Sequence, residues 1–200
     1  MAVIAHHLIW TAYGWWLPND PRGSGSLEVR NDLLKELGDL HYGRKRVQPP
    51  GREVRAFYER AAELLRHPPL IFDEAARTEI GSAFGEVIAE QRYTCYGCAI
   101  MPDHVHILIR KHKHQAEEMI EMLKHASRER LCAAGHRAPD HPTWTGGVGW
   151  KLFLSHPDEV RRTIRYIERN PLPLGLPVQR WPFVKEYDGW PLHLSSGSRP

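Results

Sequence analysis

The chain has 200 residues, 42% hydrophobic and 26% charged, with a formal net charge of +3. That suits one domain with a real core and excludes a disordered chain. No apolar run approaches the roughly 20 residues needed to cross a bilayer, and no secretory leader opens the sequence, so the expectation is a cytoplasmic protein without a membrane partner. With charge so nearly balanced, affinity for a polyanion has to come from local clusters.

Residues 3–11 read as a first strand, followed by a Pro- and Gly-rich loop from Gly14 to Gly25. From 22 to 72 the text is charged, with Arg44-Lys45-Arg46, the breaker Pro49-Pro50-Gly51 and a helix from Glu53 to Arg66. This stretch reads as an insertion into a compact core. Asp73 is placed to cap a helix to about Gln91, with Ile80, Phe84, Val87 and Ile88 as its apolar stripe. Strands are expected over 93–100 and 104–110, joined by Met101-Pro102-Asp103. Cys95 and Cys98 form a CxxC, but a regular strand puts residues three apart on opposite faces, so both read as small strand residues. The count of three cysteines is odd and suits a reducing compartment.

A second amphipathic helix is expected over 115–133, with Met119, Ile120, Leu123, Ala126 and Leu131 at helical spacing. Trp150 to Leu154 is the last strand. Ser155 and Asp158 resemble a capping box, Pro157 falls in the first turn, and a last helix runs to Asn170 before Pro171. A tail begins at about 177. The first six core elements follow the order β-α-β-β-α-β, which predicts an α+β, ferredoxin-like antiparallel sheet with helices on one face and the other face free for a site. The C-terminal helix is extra.

Strand alternation places His104 and His106 on one face, expected to be the open one, and Val105, Ile107 and Ile109 on the other. Neighbouring neutral imidazoles on one face can chelate a divalent ion. The spacing alone is weak, because 13 histidines are present and His112 and His114 repeat it in a charged run. On the last helix, at about 100° per residue, Val160, Ile164 and Ile167 form one stripe. Tyr166 and Asn170 stack off that stripe, and Arg161, Arg165 and Arg169 lie outward.

The text Met101-Pro102-Asp103-His104-Val105-His106-Ile107-Leu108-Ile109, then Tyr166-Ile167-Glu168-Arg169-Asn170-Pro171, resembles the HUH single-tyrosine transposases. That group includes insertion-sequence and REP-associated tyrosine transposases. The likeness covers residues 1–14 and about 73–176 and leaves the 22–72 segment outside. It implies that His104 and His106 bind metal, that Tyr166 is the nucleophile, and that Asn170 matches a polar position supplying a third ligand in relatives. The implied substrate is single-stranded DNA, often beside a hairpin, cut to leave a 5′-phosphotyrosine and a free 3′-hydroxyl. The implied cofactor is Mg²⁺ or Mn²⁺, and two histidines suit manganese better. The family includes dimers and forms that act alone, so both a homodimer and a monomer are open. A domesticated, non-cleaving binder of hairpin or single-stranded nucleic acid is the alternative. A zinc hydrolase pairing Cys95 or Cys98 with the two histidines is a further rival.

Arg110, Lys111, Lys113, Lys124 and Arg128, with Arg165 and Arg169, would surround such a site and track a phosphate backbone; an ordinary charged surface explains them equally well. Arg44-Lys45-Arg46 is a candidate nucleic-acid arm on the same terms. Trp15, Trp16, Trp144, Trp150 and Trp181 either stack on bases or pack.

Overall fold

The computed structural model describes residues 2–29, 31–43, 45–147 and 149–191, so Arg44 of the basic triplet lies outside the described residues. Four strands, β1 (Ala5–Thr11), β2 (Cys95–Ile100), β3 (His104–Arg110) and β4 (Trp150–Leu154), form one sheet in the order β2-β3-β1-β4. Every neighbouring pair is antiparallel. The helices are α1 (Gly51–Leu64), α2 (Glu74–Glu90), α3 (Ala116–Ala133) and α4 (Pro157–Arg169). The core order β1-α2-β2-β3-α3-β4 is the expected α+β, ferredoxin-like arrangement. Asp73 caps α2 as expected, accepting the Ala76 N–H at 2.8 Å.

Alternation along β3 gives the sheet a core on each face. Val105, Ile107 and Ile109 enter the main one with Leu8 and Trp10 of β1, Ile80, Phe84 and Val87 of α2, and Met119, Ile120 and Leu123 of α3. Leu108 points the other way and meets Ala5, Ala99, Val160 and Ile167. The face expected to be open is therefore covered by α4. The cause is the helix's own stripe: burying Val160 and Ile167 contributes on the order of 1.5–3 kcal/mol each, and the sheet offers the apolar surface that receives them.

The start of α4 is shifted by one residue from the expected box. His156, extended at φ −133° and ψ 142°, is the N-cap. Its ring accepts the Asp158 N–H at 3.2 Å, while Glu159 accepts from the His156 N–H at 3.1 Å and the Ser155 N–H at 2.7 Å.

Within 22–72, a short 3-10 helix (Asp32–Leu37) and α1 share a small core of Leu34, Leu37, Phe57, Tyr58 and Ala61 with Leu17. This core is fastened to the loop leaving β1 through Asp20, which is fully buried. Asp20 accepts from the Arg22 guanidinium at 2.7 Å and from the Tyr58 hydroxyl, and that hydroxyl accepts the Trp16 N–H at 2.7 Å. At the other end of the chain, the stretch after 176 is a packed strap. The Gln179 amide bonds both the N–H and the C=O of Ile100, at 2.8 and 2.7 Å, and the Lys185 N–H donates to Cys95 O at 2.8 Å. These bonds cover the outer edge of β2, which would otherwise present free backbone groups.

Candidate active site

His104 and His106 leave β3 on the α4 side, with ring centroids 4.9 Å apart and planes at 85°. Each ring is anchored through Nδ1. The His104 Nδ1–H donates to Asp103 Oδ1 at 2.6 Å, and His106 Nδ1 is hydrogen-bonded to His7 Nε2 at 3.0 Å. Among the described residues neither Nε2 has a hydrogen-bond partner, and neither is one of the sealed, unpartnered polar atoms. His106 is 4% exposed, and burial, the main cause, reinforced by the neighbouring imidazoles of His104 and His7, pushes it well below the ordinary imidazole range. Burial likewise lowers His7 to about 4. Both rings are thus held neutral at physiological pH, the form in which an imidazole can ligate a metal. Burial works to raise the Asp103 carboxyl, but the hydrogen bond from His104 and the Arg22 charge outweigh it and keep the group below the usual carboxylate range.

Tyr166 arrives from α4. The seating of Val160 and Ile167 fixes that helix's rotation and leaves Tyr166 on its flank, 48% exposed. Its ring centroid lies 5.3 Å from His106 at 88° and 6.2 Å from His7 at 69°. Gly97 of β2 sits under Ile167, where a Cβ would stand 3.5 Å from Ile167 Cδ1. Asn170 caps the helix one turn beyond the tyrosine, its N–H donating to Ile167 O at 3.2 Å. Its side-chain amide has no hydrogen bond among the described residues, where no cluster of three His, Cys, Asp or Glu with metal-holding geometry occurs either. The donor types available are the two imidazole Nε2 atoms, which have no hydrogen-bond partner among the described residues, and the unengaged Asn170 amide one turn beyond Tyr166. They fit a divalent ion with coordination positions left for phosphate oxygens.

The zinc alternative does not fit. Cys95 and Cys98 both enter the main core, on the sheet face opposite the histidines. They share that face because the register slips between Cys95 and Gly97, which corrects the expectation from a regular strand. Burial raises the Cys95 thiol to about 12 and Cys98 well above its ordinary value.

The basic residues do not ring the site as expected. Lys124 is 8% exposed, with Nζ donating to Gly147 O at 2.6 Å and Thr145 O at 3.3 Å. It holds the α3–β4 loop and is not displayed to a ligand. Arg110 pairs with Asp188 at 3.7 Å and lies over the Trp190 ring at 3.9 Å. Lys111 and Lys113 are exposed just past the end of β3 remote from His104, and Arg128 is exposed on α3, across the sheet from α4. Arg165 and Arg169 are exposed on the tyrosine helix itself. Among the tryptophans, Trp144 is buried in the main core, Trp15 and Trp181 pack against it, and Trp16 lies under the Arg22 guanidinium at 4.0 Å.

Fold and residue set place the chain in an α+β class built to present paired histidines to a tyrosine helix. The model of the IS200-like transposase family matches residues 66–170, and the chain belongs to that family, the single-tyrosine HUH transposases, enzymes that nick and join DNA. Among solved structures, a REP-associated tyrosine transposase bound to a REP hairpin is similar at 10% identity, over 88% of this chain and 70% of that one, with a TM-score of 0.47. A candidate transposase from Deinococcus radiodurans R1 is similar at 16% identity, over 84% of this chain and 92% of that one, with a TM-score of 0.41. No curated protein matches the chain.

Proposed function

We propose that this transposase is a metal-dependent single-stranded DNA endonuclease and strand transferase, acting beside hairpins through a 5′-phosphotyrosine intermediate. The observation that carries the proposal is the half-exposed Tyr166 ring set edge-on against a buried, neutral His106 at 5.3 Å. The hairpin substrate follows from the motif resemblance. We take the whole chain as one such domain, working in the cytoplasm, with 22–72 as an insertion. The contact of Tyr166 with histidines of its own chain supports action in cis, for which a homodimer is not required.

His104 and His106 would hold Mn²⁺ or Mg²⁺ through Nε2, with the Asn170 amide oxygen as a third ligand. When bound, the ion supplies Lewis-acid polarisation of the scissile phosphate and neutralises developing charge. A phenol is a weak nucleophile while it keeps its proton, so attack by Tyr166 draws on such help. Its Oη attacks phosphorus and its proton passes to solvent on the exposed side of the ring. The P–O3′ bond breaks with its electron pair going to O3′, which takes up a proton and departs as a 3′-hydroxyl. The phosphotyrosine ester keeps the bond energy, so a later 3′-hydroxyl can reverse the step and join strands. Arg165 and Arg169, exposed on the same helix, would help to hold the strand.

The test is a labelled hairpin oligonucleotide with a single-stranded flank, incubated with the protein and Mn²⁺. A denaturation-resistant adduct is expected, and it should be missing with Tyr166→Phe. Hairpin binding without any adduct across a broad panel would instead establish the non-cleaving binder.

A further inference from the structure

One buried polar side chain of the site has no role in the chemistry above. His7, from β1, is 3% exposed. The β1–β3 register sets Ile9 opposite His106 and His7 opposite Leu108, so His7 reaches His106 diagonally across the α4 face. Its Nε2 lies 3.0 Å from His106 Nδ1, with ring centroids 5.1 Å apart.

We infer that His7 is a positioning residue: its Nε2 accepts the His106 Nδ1–H and so holds His106 in the tautomer whose Nε2 lone pair is free for the metal. The inference rests on the reading that His104 and His106 ligate a divalent ion. A neutral imidazole carries one N–H, and a proton on Nε2 would occupy the ligating position. An acceptor fixed at Nδ1 places the proton there instead. Asp103 does this for His104 at 2.6 Å, and His7 is the corresponding acceptor for His106. For its Nε2 to accept, His7 carries its own proton on Nδ1. That atom is not among the fully sealed, unpartnered ones, so placing the proton there leaves no entombed donor. Buried ligands held this way by an outer partner keep both orientation and basicity.

The test separates positioning from packing. In the metal-free protein at about pH 8, where histidines are neutral, long-range ¹H–¹⁵N spectra should show His106 with its proton on Nδ1. His7→Phe keeps a ring in the space and removes the acceptor, whereas His7→Gln sets an amide oxygen near the position of Nε2. Mn²⁺ titration followed by electron paramagnetic resonance should show Kd raised about 10- to 100-fold by His7→Phe and largely restored by His7→Gln. His106 in the Nε2–H tautomer in the unaltered protein overturns the inference. So does a folded His7→Phe whose Kd stays within about threefold of the unaltered value, well short of the loss expected for an outer partner. If His7→Phe does not fold, the tautomer and the His7→Gln affinity decide. His104→Ala is the control: Mn²⁺ binding indifferent to it removes the metal reading itself, a failure distinct from a loss in His104→Ala with no loss in His7→Phe.

Discussion

Tyr166 meets His106 edge-on, with centroids 5.3 Å apart and planes at 88°. The two residues come from a helix and a strand far apart in the chain, and the seating of Val160 and Ile167 in the sheet's second core brings them together. A small rotation of α4 would swing the phenol away from the histidines, so the apolar stripe is part of the site's geometry.

Removal of metal is expected to abolish nicking. EDTA should leave hairpin binding intact and stop adduct formation, and added Mn²⁺ should restore it. Asp103→Ala frees the His104 ring and should weaken apparent Mn²⁺ affinity about 10- to 100-fold, read as the Mn²⁺ dependence of the nicking rate.

Lysine and arginine variants should separate structure from DNA binding. Lys124→Met leaves the carbonyls of Thr145 and Gly147 without their donor and should cost about 1–3 kcal/mol of stability, measured by urea denaturation, with no change in the salt dependence of hairpin binding. Arg165→Ala or Arg169→Ala should do the reverse, reducing the salt slope by about one for each phosphate no longer neutralised.

Gly81 is where α2 admits the C-terminal strap. A Cβ there would overlap the Trp181 ring, so Gly81→Ala should destabilise by about 1–3 kcal/mol through overpacking. Thermal melts of the single and double variants with Trp181→Ala should be non-additive, because the two residues press on each other directly.

Thiol labelling should report burial directly. In the folded protein only Cys132, which is partly exposed, should react with a thiol reagent near neutral pH. Cys95 and Cys98 should react only after unfolding, since burial disfavours their thiolates.

Acid should destabilise the fold through His6. Burial, the main cause, and the Lys111 charge lower its pKa, with Glu117 opposing them. Below about pH 6.5 the unfolded chain takes up a proton that the native state refuses, so stability falls with pH by up to about 1.4 kcal/mol per unit. The loss is absent above that pH and complete once pH passes the folded value. His6→Phe should lose less stability between neutral and mildly acidic pH, measured as urea midpoints.

Much of this protein is local and therefore legible in the sequence. The strands over 104–110 and 150–154, the Asp73 cap, the stripe of α4 and the His104, His106 and Tyr166 text all follow from periodicity within one element and from the motifs. The resemblance assigns the histidines and the tyrosine to one site; what the sequence does not carry is the depth of that site. His7 was hidden because β1 is buried on both faces except at Ile9 and Thr11, so His6-His7-Leu8-Ile9-Trp10 shows no alternation from which its facing side could be read. Lys124 looks like any surface lysine until the α3–β4 loop folds its carbonyls over it. The covering of the histidine face by α4, the strap along β2 and the His7–His106 bond each depend on strand register and on which apolar face finds which partner. Those are non-local choices, made by burial across the whole chain, and only the tertiary structure decided them.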